Sequence, residues 1–190
     1  YFNGAEYVEC RPLLNRMSAS YEFDLESPVI RFFHKEEVVD ENGEASERFK
    51  PVGEGEIRGD GRYFVVLRPQ YENPDRPYEV DSYRVHAMPD TLHDAEKGVW
   101  SFVNLTEHNV IARLGEEATP QRIPPRSVEG VRVRPDRQYA LIQFAARIRG
   151  EPKLFYSTGW PVRETSNYLV MFLPGSERRP ISVLRFSGGS

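Results

Sequence analysis

One cysteine, Cys10, stands in a chain of 190 residues. An internal disulfide is thereby excluded, as is any metal site built from several thiolates. A lone cysteine does not by itself assign the chain to the cytosol. Histidine is scarce as well: His34, His86, His93 and His108 include no pair two to four residues apart, the spacing that a metal site on one element usually shows. A blue-copper arrangement fails because Cys10 lies far from any C-terminal His and Met. No apolar run approaches the ~20 residues that cross a bilayer, so the visible chain holds no membrane span. It opens on Tyr1 and not on Met, which reads as removal of an N-terminal segment and fits export.

Catalytic signatures are missing too. There is no Gly-x-Ser-x-Gly elbow and no local grouping of Ser, His and an acid. No Gly-rich loop precedes a helix that would receive a phosphate. Helix itself is nearly absent from the pattern. Pro12–Met17 and the stretch 89–98 offer at most a turn each, the second with Thr91 and Asp94 spaced as in a loose capping box.

What fills the chain is alternation. Tyr21-Glu22-Phe23-Asp24-Leu25-Glu26 places an apolar residue at every second position, and similar runs follow, each closed by Gly, Pro, Asn or Asp. Strands are expected at 21–26, 29–34, 48–58, 62–68, 78–88, 99–105, 109–114, 127–134, 139–148, 152–158, 168–173 and 180–186. Asn42-Gly43 reads as a tight turn, and Gly59-Asp60-Gly61, Arg149-Gly150-Glu151-Pro152 and the segment 174–180 read as hairpin connections. A one-residue slip from Val128 to Val131 beside Gly130 reads as a β-bulge. Aromatic residues, 12% of the chain, sit mostly inside these runs and supply ample core material.

These features predict an all-β fold, an antiparallel two-sheet sandwich of immunoglobulin-like type, with a jelly roll as second choice and little or no helix. Residues 1–190 read as one domain, with 1–20 an irregular lead-in; the Pro-rich loop 70–77 marks the one place where a division would fall. The expected core comprises Phe33, Phe64, Val66, Tyr83, Val85, Phe102, Val133, Ile142, Phe144, Val170, Phe172, Ile181 and Val183.

A net charge of −4 argues against a phosphate-tracking surface, so no nucleic-acid partner is expected. Arg122, Arg126, Arg132, Arg134 and Arg137 are scattered and read as solvated strand positions. His93 with Asp90, Asp94 and Glu96 is the densest ionisable cluster; its oxygens would suit a divalent cation, but a solvated loop after Pro89 is the favoured expectation. Glu54 and Glu56 share one strand face, where a polar outer surface explains them better than paired catalytic carboxylates, which normally come from separate strands. Arg58-Gly59-Asp60 matches the tripeptide integrins recognise, yet also makes an ordinary turn. Asn104-Leu105-Thr106 is a glycosylation sequon, though Asn and Thr at a strand end also close strands through backbone bonds. The remaining lead is aromatic. Tyr156, Thr158 and Trp160 alternate on one face, with Arg163 nearby in a polar turn, and a ligand-binding face for a sugar would use Tyr156, Trp160 and Arg163. The competing expectation places Trp160 in the core.

Residues 99–186 carry a set of phrases: Ser101-Phe102-Val103-Asn104-Leu105-Thr106 with Asn109-Val110-Ile111, Leu114-Gly115 before Ile123-Pro124-Pro125, Phe155-Tyr156-Ser157-Thr158-Gly159-Trp160, and Tyr168–Pro174. This stretch resembles uncharacterised exported β-sandwich proteins of environmental bacteria. The resemblance implies a sandwich and an extracytoplasmic setting, periplasmic or secreted, and transfers no functional residue. The expected function is a non-catalytic binding or structural module of the bacterial envelope or exterior, without cofactor or metal, its partner a protein or glycan of the envelope. A hydrolase with a loop-assembled site and a carbohydrate-binding module are the alternatives.

Overall fold

The computed structural model describes residues 1–2, 6–12, 20–23, 28–71, 75–76, 79–90, 97–133, 139–162 and 167–187. Among these there are twelve strands and no helix: β1 (Val29–Val39), β2 (Ala45–Glu56), β3 (Tyr63–Gln70), β4 (Ser82–Pro89), β5 (Val99–Asn104), β6 (Val110–Leu114), β7 (Gln121–Ile123), β8 (Ser127–Arg132), β9 (Tyr139–Ile148), β10 (Glu151–Pro161), β11 (Tyr168–Pro174) and β12 (Ile181–Ser187). The all-β expectation holds. The chain falls into two compact units, Tyr1–Asp90 and Thr91–Ser190, each with its own apolar core.

In the first unit β1 pairs with β2 and β3 with β4, both antiparallel. Ile30, Phe32 and Ile57 are buried with Tyr1, and Val65, Leu67, Val85 and Ala87 pack against them. Gly53 and Gly55 let β2 lie close to β4. A Cβ on Gly53 would come within 2.6 Å of the Tyr83 carbonyl oxygen, and one on Gly55 within 2.6 Å of Val85 Cγ1. The far half of the β1–β2 ribbon, past Lys35, is exposed apart from the half-buried Glu36.

Several expectations need correction here. Tyr21–Phe23, the start of the clearest alternating run, lies outside any strand. Its rings are used without a ladder, since Tyr21 and Phe23 meet the Tyr1 ring edge-on at 6.0 and 6.4 Å. Phe32 is buried in place of Phe33: a bulge makes Val52 the extra residue between Pro51, opposite Phe33, and Gly53, opposite Phe32. Phe33 instead lies against Tyr7. Gly59-Asp60-Gly61 is a turn, but the strands it joins belong to different sheets, so it is no hairpin tip. Asn42-Gly43 does close the β1–β2 hairpin, with the Gly43 N–H bonded to the Asp40 carbonyl.

The second unit is a sandwich of two four-stranded sheets, in the orders β10-β9-β6-β7 and β12-β11-β5-β8. Every pairing is antiparallel except β5 with β11, which run parallel from Trp100↔Tyr168 to Asn104↔Phe172. The strand β9 shows why the sheets face each other as they do. Ala140, Ile142, Phe144, Ala146 and Ile148 alternate into the core, which period two requires of a half-buried strand. Phe102, Phe144 and Phe172 meet across the interior: Phe172 approaches Phe144 edge-on at 4.9 Å and lies parallel to Phe102 at 6.1 Å. Such offset and T-shaped arrangements suit the ring quadrupole. Seven of the expected core residues, Phe102, Val133, Ile142, Phe144, Val170, Phe172 and Ile181, are buried in this cluster. Val183 packs partly buried against it.

The bulge expected at Gly130 is absent, because β8 runs in unbroken register with β5 from Arg132↔Val99 to Ser127↔Asn104. Val128 and Val131 simply lie on opposite faces. A bulge occurs instead in β10, where Leu154 pairs with Ala145 and Tyr156 with Phe144, leaving Phe155 as the extra residue. Both Phe155 and Tyr156 thereby pack against the core, while Leu154 is left exposed. The connection from Ile148 to Glu151 is a two-residue turn with Arg149 and Gly150 both at positive φ, 53° and 88°, the geometry that matches strand twist.

Candidate functional site

The strands β10 and β12 are each paired on one side only, within their own sheets. Their inner faces carry an aromatic and cationic cluster. β10 contributes Tyr156, Thr158 and Trp160 through alternation, opposite Phe144, Ile142 and Ala140 of β9. β12 contributes Arg185, opposite Val170 of β11 and two positions beyond Val183. The Arg185 guanidinium carbon lies 4.7 Å from the Trp160 ring centroid and 5.3 Å from that of Tyr168. At that range a ring quadrupole attracts a cation, and Trp does so most strongly.

Trp160 is buried, with 5% of its surface exposed. Its ring meets Trp100 at 5.6 Å, Phe144 at 5.8 Å and Tyr156 at 5.7 Å. Its indole N–H donates to the Tyr156 hydroxyl at 3.1 Å. Tyr156 is half-buried and lies nearly parallel to Phe144 at 5.4 Å. Trp160 thus belongs to the packed interior, and the exposed side of the cluster is the guanidinium of Arg185. Arg163 lies outside the described residues. Sequence pattern had paired Tyr156 with Trp160, but missed Arg185; the signal was there in the spacing of Ile181, Val183 and Arg185, which sets a charge on an otherwise apolar strand face.

A second cluster is polar and closed. The Asn104 side chain is fully buried at the end of β5. Its amide nitrogen donates to the carbonyls of His108, Ile123 and Pro124 at 2.8, 3.1 and 2.9 Å. Its oxygen accepts from the Thr106 N–H at 3.0 Å and from the Thr106 hydroxyl at 2.8 Å. The Thr106 hydroxyl oxygen in turn accepts from the His108 N–H at 3.1 Å. The sequon is therefore a knot holding two loops, which is the strand-closing role expected of Asn and Thr there.

The other motifs resolve into local structure. Arg58 donates through two nitrogens to the two carboxylate oxygens of Glu56, at 3.1 and 3.0 Å. Hydrogen bonding and charge from Arg58 lower the Glu56 pKa, and the same contacts raise that of Arg58. The arginine of Arg58-Gly59-Asp60 is thus already engaged by a carboxylate. Glu54 pairs with Arg31 across the hairpin at 3.4 Å, and both are exposed. Arg126 pairs with Glu107, and Arg122 donates to Asn109, so these two basic residues serve loop contacts. His93, Asp94, Glu96, Arg134 and Arg137 lie outside the described residues. Among the described residues no three His, Cys, Asp or Glu side chains group closely enough to hold a metal ion, and no helix is long and apolar enough to cross a membrane. No family model, curated protein or solved structure matches this chain.

Proposed function

We propose that this chain is a non-catalytic binding or structural module of the bacterial envelope or exterior, whose partner is a protein or glycan of that compartment. The observation that carries the reading is how the buried Asn104 and Thr106 side chains are engaged. Asn104 and Thr106, which are deeply buried, bond backbone groups of neighbouring loops and one another, and a group so tied has no role left for bond-making chemistry. The shifted carboxylates have equally local causes: Asp40 is lowered chiefly by the Glu44 N–H, and Glu56 by Arg58. The extracytoplasmic setting draws on the resemblance of residues 99–186 to exported sandwich proteins. A rigid sandwich that presents a surface is a sufficient device for such work.

The test is a screen of the purified protein against a glycan array and a panel of envelope proteins, run beside assays for cleavage of ester, peptide and glycosidic bonds. Saturable binding without turnover is the expected result. Turnover of any of these bonds, abolished by a single loop substitution, would overturn the reading in favour of a hydrolase.

A further inference from the structure

We propose that Arg185, held over Trp160 and Tyr168 at the side of the sandwich bounded by β10 and β12, is a recognition site for a carboxylate, that of a uronate sugar. The proposal deepens the binding-module reading and rests on it. Its first ground is placement. Arg185 projects from the inner face of β12, where Ile181 is buried and Val183 packs against the core, yet Arg185 itself is exposed. A guanidinium already held near two ring centroids, at 4.7 and 5.3 Å, has less freedom to lose when it binds than one on a free side chain.

The second ground is unfilled bonding capacity. Ring contacts use none of the five N–H donors of a guanidinium as conventional hydrogen bonds, so these stay available to acceptors. Among the described residues Arg185 makes no ion pair, in contrast to Arg31, Arg58, Arg76 and Arg126, which hold Glu54, Glu56, Glu79 and Glu107. One planar cation matches one carboxylate in charge and in bidentate geometry. The sugar follows from the neighbours on β10. The Tyr156 hydroxyl accepts from Trp160 and keeps its own proton to donate, and Thr158 lies between these two residues on the same strand face. Hydroxyl groups on the strand face that carries Trp160, the ring next to the cation, suit a polyhydroxylated acid better than an apolar one.

Trp160 makes the site observable, because a ligand on Arg185 alters the cation above its ring. The probes are trigalacturonate, its methyl ester and sodium acetate, titrated against the intact protein while tryptophan emission is followed. Trigalacturonate is expected to give a saturable change that the methyl ester does not give. Arg185→Gln should weaken it at least tenfold, and Arg185→Lys should recover part of the loss, since an ammonium keeps the charge without the fork. A response confined to trigalacturonate places the carboxylate on a sugar chain, whereas an equal response to acetate at matched carboxylate concentration overturns the uronate assignment. No saturable response to trigalacturonate, or an undiminished one in Arg185→Gln, overturns the site. If Arg185→Gln fails to fold, the contrast between acid and methyl ester on the wild-type protein decides. The outcomes separate from those above: a partner found on the array with no effect of Arg185→Gln removes this site and leaves the module standing.

Discussion

The carboxamide oxygen of Asn104 accepts two hydrogen bonds from Thr106, one from its backbone and one from its hydroxyl. Because the amide nitrogen of the same side chain donates to three carbonyls, Asn104 is used at both ends. Asn104→Asp keeps the shape and removes every donor, setting a carboxylate against three carbonyl oxygens in a buried place. We expect a loss of upwards of about 3 kcal/mol in urea unfolding. Asn109→Ala, which removes only an exposed contact with Arg122, should stay within roughly 0.5 kcal/mol of wild type. Equal effects from the two would refute the account of the knot.

The same geometry bears on the sequon. A glycan on the Asn104 nitrogen would displace bonds that hold His108, Ile123 and Pro124. Folded protein secreted from a eukaryotic host should therefore carry no sugar at Asn104. Intact mass spectrometry of the folded fraction reads this directly, and a glycosylated, natively folded species would contradict it.

The close approach of β2 and β4 gives a sharper test. Gly55→Ala brings a methyl group against the Val85 side chain, and should cost about 1–3 kcal/mol through overpacking. Adding Val85→Ala removes the clashing atom, so the double variant should be less impaired than the sum of the two singles. Gly53→Ala meets the Tyr83 carbonyl oxygen, a backbone atom, and trimming a side chain at position 85 should not rescue it. Additive behaviour at Gly55 and Val85 would argue against the contact.

Acid should act on the first hairpin through Asp40. The N–H of Glu44 and then that of Asn42 bond its carboxylate, at 2.8 and 2.9 Å, and lower its pKa. A lowered folded pKa stabilises the turn above the unfolded value of about 3.9 and loses that contribution as pH falls through the folded pKa. The Glu44 amide proton shift should follow this protonation with a midpoint below that of an ordinary aspartate, and Asp40→Asn should abolish the titration. A midpoint at or above the ordinary value would show that the hydrogen bonds do not hold in solution.

The difference between what pattern discloses and what it conceals is visible in single residues. Strand β9 was legible because Ala140 to Ile148 alternate without interruption and each inward side chain faces another sheet. Tyr21-Glu22-Phe23 shows the same alternation without a strand, because apolar rings can be covered by Tyr1 as well as by a ladder partner. Period two records which side chains are buried, and backbone pairing is a separate matter. Phe32 and Phe33 adjoin in sequence, and the choice between them depends on phase along β1, which a run of two rings obscures. At the candidate site, alternation correctly grouped Tyr156 with Trp160. Their neighbour Arg185 lies 25 positions beyond Trp160 on another strand, and only the packing of one sheet on the other brings it to Trp160.

The parallel pairing of β5 with β11 sets an order on the life of the chain. Trp100 finds its neighbour Tyr168 only after sixty-eight further residues have been made, which at synthesis rates of about 5–20 residues per second is a wait of several seconds. Until then β5 offers one unsatisfied edge flanked by Trp100, Phe102 and Val103, a template for joining other chains. The second unit is in this sense sealed by its own C-terminal third. A ribosome stalled before Tyr168 would release an aggregation-prone fragment rather than a smaller sandwich, and a holding chaperone has its strongest claim on the chain in that interval.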